Sequence, residues 1–261
     1  MNHKEVGKYW DGNAQAWTKL SRMGYDIYRD YLNTPAFLAM LPDVDGLKGL
    51  DIGCGEGHNT RLAAKRGAQM SAIDISPEFI KYAIEAEETE PLGIEYRIAS
   101  AVELPYDNEA FDFAMATMSF MDIPETDKAI SQAFRVIKLG GFIQFSILHP
   151  CFHTFTWEWI KDEAGRPLAL KCGDYFKELN GEIEEWIFGA APEDLKNEFS
   201  NFKIPRFTRP LSKWLNSLIN AGFILEEFAE PSPDDETVRK FPSLRYTQII
   251  AWILIIRCRK P

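Results

Sequence analysis

Apolar and polar positions along the chain follow two rhythms, helical and strand-like, and the places where they change divide the sequence. Over residues 1–40 the apolar positions recur at helical spacing, first Trp10, Ala14 and Trp17, then Tyr25, Tyr28 and Leu32. Pro42 and Gly46 break the chain. A strict alternation starts there. Residues 47–52 predict a strand, 53–57 a turn, and 59–66 a helix stopped by Gly67. Residues 69–73 predict a second strand, with Ser76 and Pro77 as N-cap and first residue of the next helix. Residues 94–98 and 111–118 predict strands three and four, 125–137 a helix, 140–141 a turn and 142–148 a fifth strand. Strands alternating with helices predict an α/β fold, doubly wound, with a parallel sheet between two helical layers.

The alternation stops at Pro150. Residues 151–207 hold 11 aromatics scattered among Gly, Pro and acidic residues, with short strands expected only at 168–170 and 184–188. The pattern resumes with a helix over 210–221, stopped by Gly222, and two strands at 223–228 and 246–256. The longest apolar run, 249–256, is too short to cross a bilayer as a helix and suits a strand buried on both faces. The 261 residues thus read as one domain. Residues 1–45 form a helical cap, 46–149 a cofactor-binding core, 150–207 an inserted aromatic lid, and 208–261 a last helix with two strands.

Composition narrows the partners. Lys+Arg number 29 against 39 Asp+Glu, a net charge of −10 with no basic cluster, which disfavours a phosphate backbone as ligand. Cys54, Cys151, Cys172 and Cys258 contain no CxxC pair, and the N-terminus has no apolar signal region, so a reducing cytoplasm is expected. His149, Cys151 and His153 would face one way in an extended chain. Pro150 and Phe152 argue for a turn instead, and without a fourth ligand no metal is expected.

The strongest chemical signal is Asp51-Ile-Gly53-Cys54-Gly55-Glu-Gly57, between a predicted strand and a predicted helix. Glycines there permit a tight turn and close approach of a ligand to the backbone. Asp74 follows at the end of the second strand, where a carboxylate can accept both hydroxyls of a ribose. Together they indicate an adenosine-containing ligand at the carboxyl ends of the strands. The plainer alternative is a glycine turn that only packs helix on strand, with Asp74 as a helix cap.

The glycines run GxGxG rather than the GxGxxG of dinucleotide sites. DIGCGEG, AIDIS, VELPYDNEAFDFAMA and RVIKLGGFIQFS, in that order over about residues 46–149, resemble the successive motifs of class I S-adenosylmethionine-dependent methyltransferases. HPCF and RPLSKWLNSLINAGF resemble a small-molecule branch related to the ubiquinone/menaquinone C-methyltransferase-like group. The resemblance implies a Rossmann-like, mostly parallel seven-stranded sheet. It also implies S-adenosylmethionine as cofactor, S-adenosylhomocysteine as product and a small-molecule acceptor. By the same resemblance Gly53, Cys54, Gly55 and Gly57 would line the methionine and ribose part, with Asp51 near the amino group. Asp74 would hold the ribose hydroxyls and Ile75 would lie against the adenine. Ser100, Ala101 and Val102 would sit at the adenine edge, and Thr117 and Met118 would close the ribose–methionine side. Two positions depart from the family pattern: Ser100 where Asp is frequent, and Leu139 where Pro is frequent.

Methyl transfer needs alignment first, and a general base only if the acceptor must lose a proton. His149, after the fifth strand, is one candidate base, the alternative being a polar residue that ends the strand. Asp122, after the fourth strand, is the other, the alternative being a helix cap. Trp157, Trp159, Tyr175, Phe176 and Trp186 would line a pocket for an aromatic or apolar acceptor, or else form the insertion's own small core. Tyr9, Trp10 and Trp17 likewise either cover the cofactor or dock an amphipathic helix. A nicotinamide-dependent oxidoreductase would want GxGxxG, or a YxxxK pair that no tyrosine here supplies. A cofactor-binding protein without turnover is the remaining rival. A protein or nucleic-acid methyltransferase would want an NPPY-like tetrapeptide where this chain has ATMSFMD.

Overall fold

The computed structural model describes the whole chain, Met1–Pro261. Its centre is a seven-stranded sheet. The strands are β1 (Lys48–Ile52), β2 (Gln69–Asp74), β3 (Glu95–Ile98), β4 (Phe111–Thr117), β5 (Ile137–Leu148), β10 (Ile224–Ala229) and β11 (Ile253–Arg259). Their order is β10-β11-β5-β4-β1-β2-β3. Strands β1 to β5 pair in parallel, while β11 runs antiparallel to both of its neighbours. The sheet is therefore mostly parallel and doubly wound. β1 has neighbours on both sides that leave in opposite directions, so a crevice opens beyond its carboxyl end.

The central strands carry near-continuous apolar runs because both faces are covered. One core holds Leu50, Ile52, Phe145, Ile147 and Trp214 beneath α5 (Thr126–Val136) and α7 (Leu211–Ala221). The other holds Phe37, Met70, Phe113 and Ile255. It lies beneath α2 (Thr34–Met40) and α3 (His58–Ala64). α4 (Pro77–Thr89) starts as expected at Ser76, whose hydroxyl accepts from the Phe79 N–H at 3.1 Å.

The N-terminal helix α1 (His3–Arg22) opens with a capping box between Asn2 and Glu5. It ties the cap to both other parts of the molecule. The Asp11 carboxylate accepts from Ser76 Oγ at 2.7 Å and from the Glu78 N–H at 3.0 Å. Asn13 exchanges two hydrogen bonds, 3.0 and 2.9 Å, with the backbone of Lys203 in the insertion. Arg22 (3.0 Å) and Arg29 (3.3 Å) grip Glu56 on the glycine-rich turn.

Several local expectations need correction. The insertion contains four strands, not two: β6 (Thr156–Lys161) with β7 (Pro167–Gly173), and β8 (Asn180–Trp186) with β9 (Phe202–Phe207), the second pair linked through α6 (Glu193–Lys196). Mixed polar and aromatic residues hid β6 and β9, since neither alternates cleanly. The last strand does not start at residue 246. A 3₁₀ segment, Pro242–Gln248, follows α8 (Asp235–Lys240), and β11 begins only at Ile253. Gly140–Gly141 is a bulge inside β5 rather than a turn before it, because Gly140 N–H and Gly141 C=O both bond Lys260. No helix is long and apolar enough to cross a membrane.

Candidate active site

The carboxyl ends of β1, β2 and β4 open into a cavity of about 770 Å³, closed above by α1 and the insertion. The glycine-rich turn forms its floor. Gly53 and Cys54 both donate to the Ile73 carbonyl, at 2.8 and 2.9 Å, which fastens the turn to β2. Gly53 has φ of 77°, and a Cβ there would lie 2.5 Å from Ser119 Cβ and 2.8 Å from its Oγ. Both the left-handed backbone and the close approach require glycine.

Asp74 stands beside this turn and is nearly covered. One oxygen accepts from the Gly55 N–H and the other from the Ser76 N–H, each at 2.9 Å. Burial raises its pKa to about 6, against the lowering pull of these backbone N–H groups. Each oxygen keeps a lone pair, so the carboxylate is oriented without being saturated. Cys54 next to it is held as a neutral thiol, burial and then Asp74 pushing its pKa well above the usual range.

Asp122, which also lines the cavity, follows β4. Met118, at φ of 54°, turns the chain out of the strand in a left-handed conformation that a non-glycine residue rarely adopts. Its N–H is held by the Ser146 carbonyl and hydroxyl, at 3.0 and 3.2 Å, and Ser119 Oγ donates to the Ile52 carbonyl at 2.6 Å. This brings Asp122 to the wall with no hydrogen bond on its carboxyl. Burial raises its pKa to about 8, more than Arg206 and Arg209 lower it. An acid tuned near neutrality in a cavity is poised to exchange a proton.

Of the residues expected at the site, Gly53, Cys54, Gly55, Asp74, Ile75, Ser100, Ala101, Thr117, Met118 and Asp122 line this one cavity. Four do not. Asp51 lies beneath the turn, fully buried, where Thr60 Oγ1 donates to it at 2.6 Å and burial raises its pKa to about 7. Gly57 faces Tyr96, whose Oη would be 2.5 Å from an added Cβ. Val102 is buried in the protein interior. His149 is turned away: Nε2 meets Glu230 Oε1 at 2.8 Å and Nδ1 accepts from the Cys151 N–H at 3.2 Å. Nor is 149–153 extended. Phe152 and His153 both donate to the His149 carbonyl, so the chain turns and His149, Cys151 and His153 do not share a face.

Sequence reasoning missed several lining groups. Asn59 links the cap to β4, accepting from Thr34 Oγ1 (2.9 Å) and donating to Thr117 Oγ1 (3.0 Å). His153 is buried in the wall, edge-on to Trp252, with Nε2 unpartnered, and burial drops its pKa to about 3. Arg206 and Arg209 enter from the end of β9; their three-residue spacing at the junction of insertion and sheet was the available signal. Among the aromatics, Trp157 and Trp186 line the cavity, as do Trp10 and Trp17. Trp159 packs on Tyr246, the Tyr175 hydroxyl accepts from the Leu211 N–H, and Phe176 is 82% exposed.

The comparisons with known proteins point the same way as this geometry. Residues 50–145 match the family model described as "Methyltransferase domain". A ubiquinone biosynthesis O-methyltransferase of Coxiella burnetii is 26% identical over 214 residues, 76% of this chain and 90% of that protein. One from Xanthomonas oryzae pv. oryzae is 31% identical over 151 residues, 57% of this chain and 63% of that protein. The crystal structure of an S-adenosylmethionine-dependent methyltransferase from Mesorhizobium loti superposes with a TM-score of 0.70 at 26% identity, over 86% of this chain and 96% of that one.

Proposed function

Starting from the premise that this chain is a class I S-adenosylmethionine-dependent methyltransferase acting on a small molecule, we propose how its residues divide the work. Asp74 would take the ribose hydroxyls on its two remaining lone pairs. The Gly53–Gly55 backbone would lie against the methionine portion, Ile75 against the adenine, and Ser100 and Ala101 along the adenine edge. Ser100 Oγ accepts weakly from the Val102 N–H (3.4 Å), which leaves its own hydrogen free for an acceptor. S-adenosylmethionine, when bound, supplies a methyl group activated by the sulfonium. Thr117 and Met118 would close the side facing the acceptor, and α1 with the insertion would exclude water.

Asp122 is the proposed proton acceptor. The single observation that carries this reading is that Asp122 and Asp74 line the same cavity, beyond the strands that flank β1 on either side, the first unbonded and tuned upward, the second anchored by backbone N–H groups. His149, satisfied by Glu230, is not needed for it. An aromatic or apolar acceptor is supported by Trp157, Trp186, Trp214 and Met121, which line the same cavity as Asp122. The four free cysteines support a reducing compartment such as the cytoplasm. Calorimetry tests the assignment: S-adenosylhomocysteine should bind the parent protein and Asp122→Asn equally, and Asp74→Ala weakly. Equal affinity in all three would remove Asp74 from the cofactor site.

A further inference from the structure

Arg206 and Arg209 line the cavity near Asp122. Arg206 commits Nη1 to Glu184 Oε2 at 2.6 Å, and its Nε and Nη2 meet no acceptor of the protein. Arg209 gives Nη2 to the Ile123 and Pro124 carbonyls, at 2.8 and 3.0 Å, while its Nη1 is buried without any acceptor. Its guanidinium lies 5.5 Å from the Trp214 ring and 5.9 Å from the Phe207 ring, so apolar surface surrounds it.

The charges at this end do not balance. Glu184 offsets Arg206. Asp122, raised by burial to about 8, is mostly protonated at pH 7 and forms no ion pair with either arginine. Glu178 and Asp127, the other acids that act on Arg209, bond Lys213 and Ser217 outside the cavity. One buried positive charge is left over, with empty N–H donors on both guanidinium groups. A cation in that position is costly until an anion joins it. In a chain of net charge −10, this spot runs against the general field.

We propose that the methyl acceptor is an apolar or aromatic monocarboxylic acid whose carboxylate docks on Arg206 and Arg209, with its reactive group toward Asp122. The proposal rests on the methyl-transfer reading of this cavity and gives it a substrate class. The planar guanidinium fork matches a carboxylate in geometry. A single unbalanced charge matches a monoanion better than a phosphate monoester, which carries about −1.5 to −2. The tryptophan wall takes the rest of the molecule.

The test uses the full chain loaded with S-adenosylhomocysteine, titrated calorimetrically with benzoate, phenylacetate and cinnamate, each beside its primary amide. At least one acid should bind, with its amide weaker by about tenfold or more, since the arginines then lose a charged partner. Arg209→Gln should abolish the preference for acid over amide while affinity for S-adenosylhomocysteine stays. Because Arg209 also ties two carbonyls, Arg206→Gln provides a second variant free of that structural duty, and it should weaken the acid in the same direction. Failure of every acid to bind, amides binding as well as acids, or unchanged acid affinity in both variants would overturn the proposal. Failure of S-adenosylhomocysteine to bind the parent chain would instead overturn the reading beneath it.

Discussion

At one end of the cavity Asp74 receives two backbone N–H groups; at the other Asp122 receives none. Both carboxyls are buried and both are pushed upward by burial, to about 6 and about 8. The difference lies in what holds them. The Asp74 end is built from backbone, from glycines and strand ends whose geometry the sheet dictates. The Asp122 end is built from side chains that the insertion and the segment just after it deliver: Glu184 and Arg206, then Arg209 and Trp214. A backbone-built site can serve one ligand across many relatives, whereas a side-chain-built site can change with each acceptor.

Asp122→Asn strikes the contrast hardest. If Asp122 takes the acceptor's proton, kcat should fall by about 10²–10⁴-fold while cofactor affinity stays, since Asn keeps the volume and removes only the base. The parent's kcat/KM should rise with pH toward about 8, as the carboxyl ionises, and the variant should lose that limb. A rate within twofold of the parent would leave Asp122 as a wall residue.

Asp74→Ala comes next. Removing the carboxylate orphans the Gly55 and Ser76 N–H groups as well as the ribose hydroxyls, so cofactor binding should weaken by about 1–3 kcal/mol in calorimetry. The acid-over-amide preference at the other end should persist, if the two ends are as separate as their contacts suggest.

The pH dependence of stability separates the ends by window. Asp74, Asp51 and Asp122 all have folded pKa values above the ordinary 3.8, so the folded state binds protons more tightly than the unfolded chain. Their contribution is full below about pH 4 and is lost as pH rises, by at most about 1.4 kcal/mol per pH unit for each group in its window. Asp74 and Asp51 act up to about 6 and 7, and Asp122 up to about 8. Urea unfolding of the ligand-free protein should show stability falling from pH 5 to pH 8, and Asp122→Asn should lower the slope by about 1.4 kcal/mol per pH unit across that range, leaving little of the fall above about pH 7. A parallel curve for the variant would mean that water reaches Asp122 in the folded state.

The same contrast explains what could be read from the sequence. The glycine turn, Asp74 and the strand order follow from local rules, because turns, caps and doubly buried strands leave period and composition marks. Asp51 shows where such rules stop: its place in the motif suggested a ligand contact, yet it lies buried outside the cavity lining, with one oxygen taking the Thr60 hydroxyl and the other left without a partner. The acceptor end left few marks. Its residues come from α1, the loop after β4, β9 and the loop beside β11, and nothing in the spacing of Asp122, Arg206 and Trp252 announces that they meet. His149 looked better than Asp122 because histidine has the suitable intrinsic pKa, whereas burial, visible only in three dimensions, is what raises the aspartate.

The smallest effect expected lies inside the insertion, where Trp186 and Phe176 test whether the acceptor wall is as drawn. Trp186 lines the cavity and packs edge-on against Trp17 (5.7 Å) and Phe202 (5.3 Å), so Trp186→Ala should cost both stability and acceptor affinity. Phe176, 82% exposed at the far hairpin, touches Tyr175 and little else, so Phe176→Ser should shift stability by less than about 0.5 kcal/mol and leave the acceptor KM unchanged. An increase in KM for Phe176→Ser with stability unaltered would show that the hairpin swings inward when the acceptor binds. The side-chain-built end would then be assembled by the ligand rather than waiting for it, and its plasticity would extend to the segment that looks least engaged.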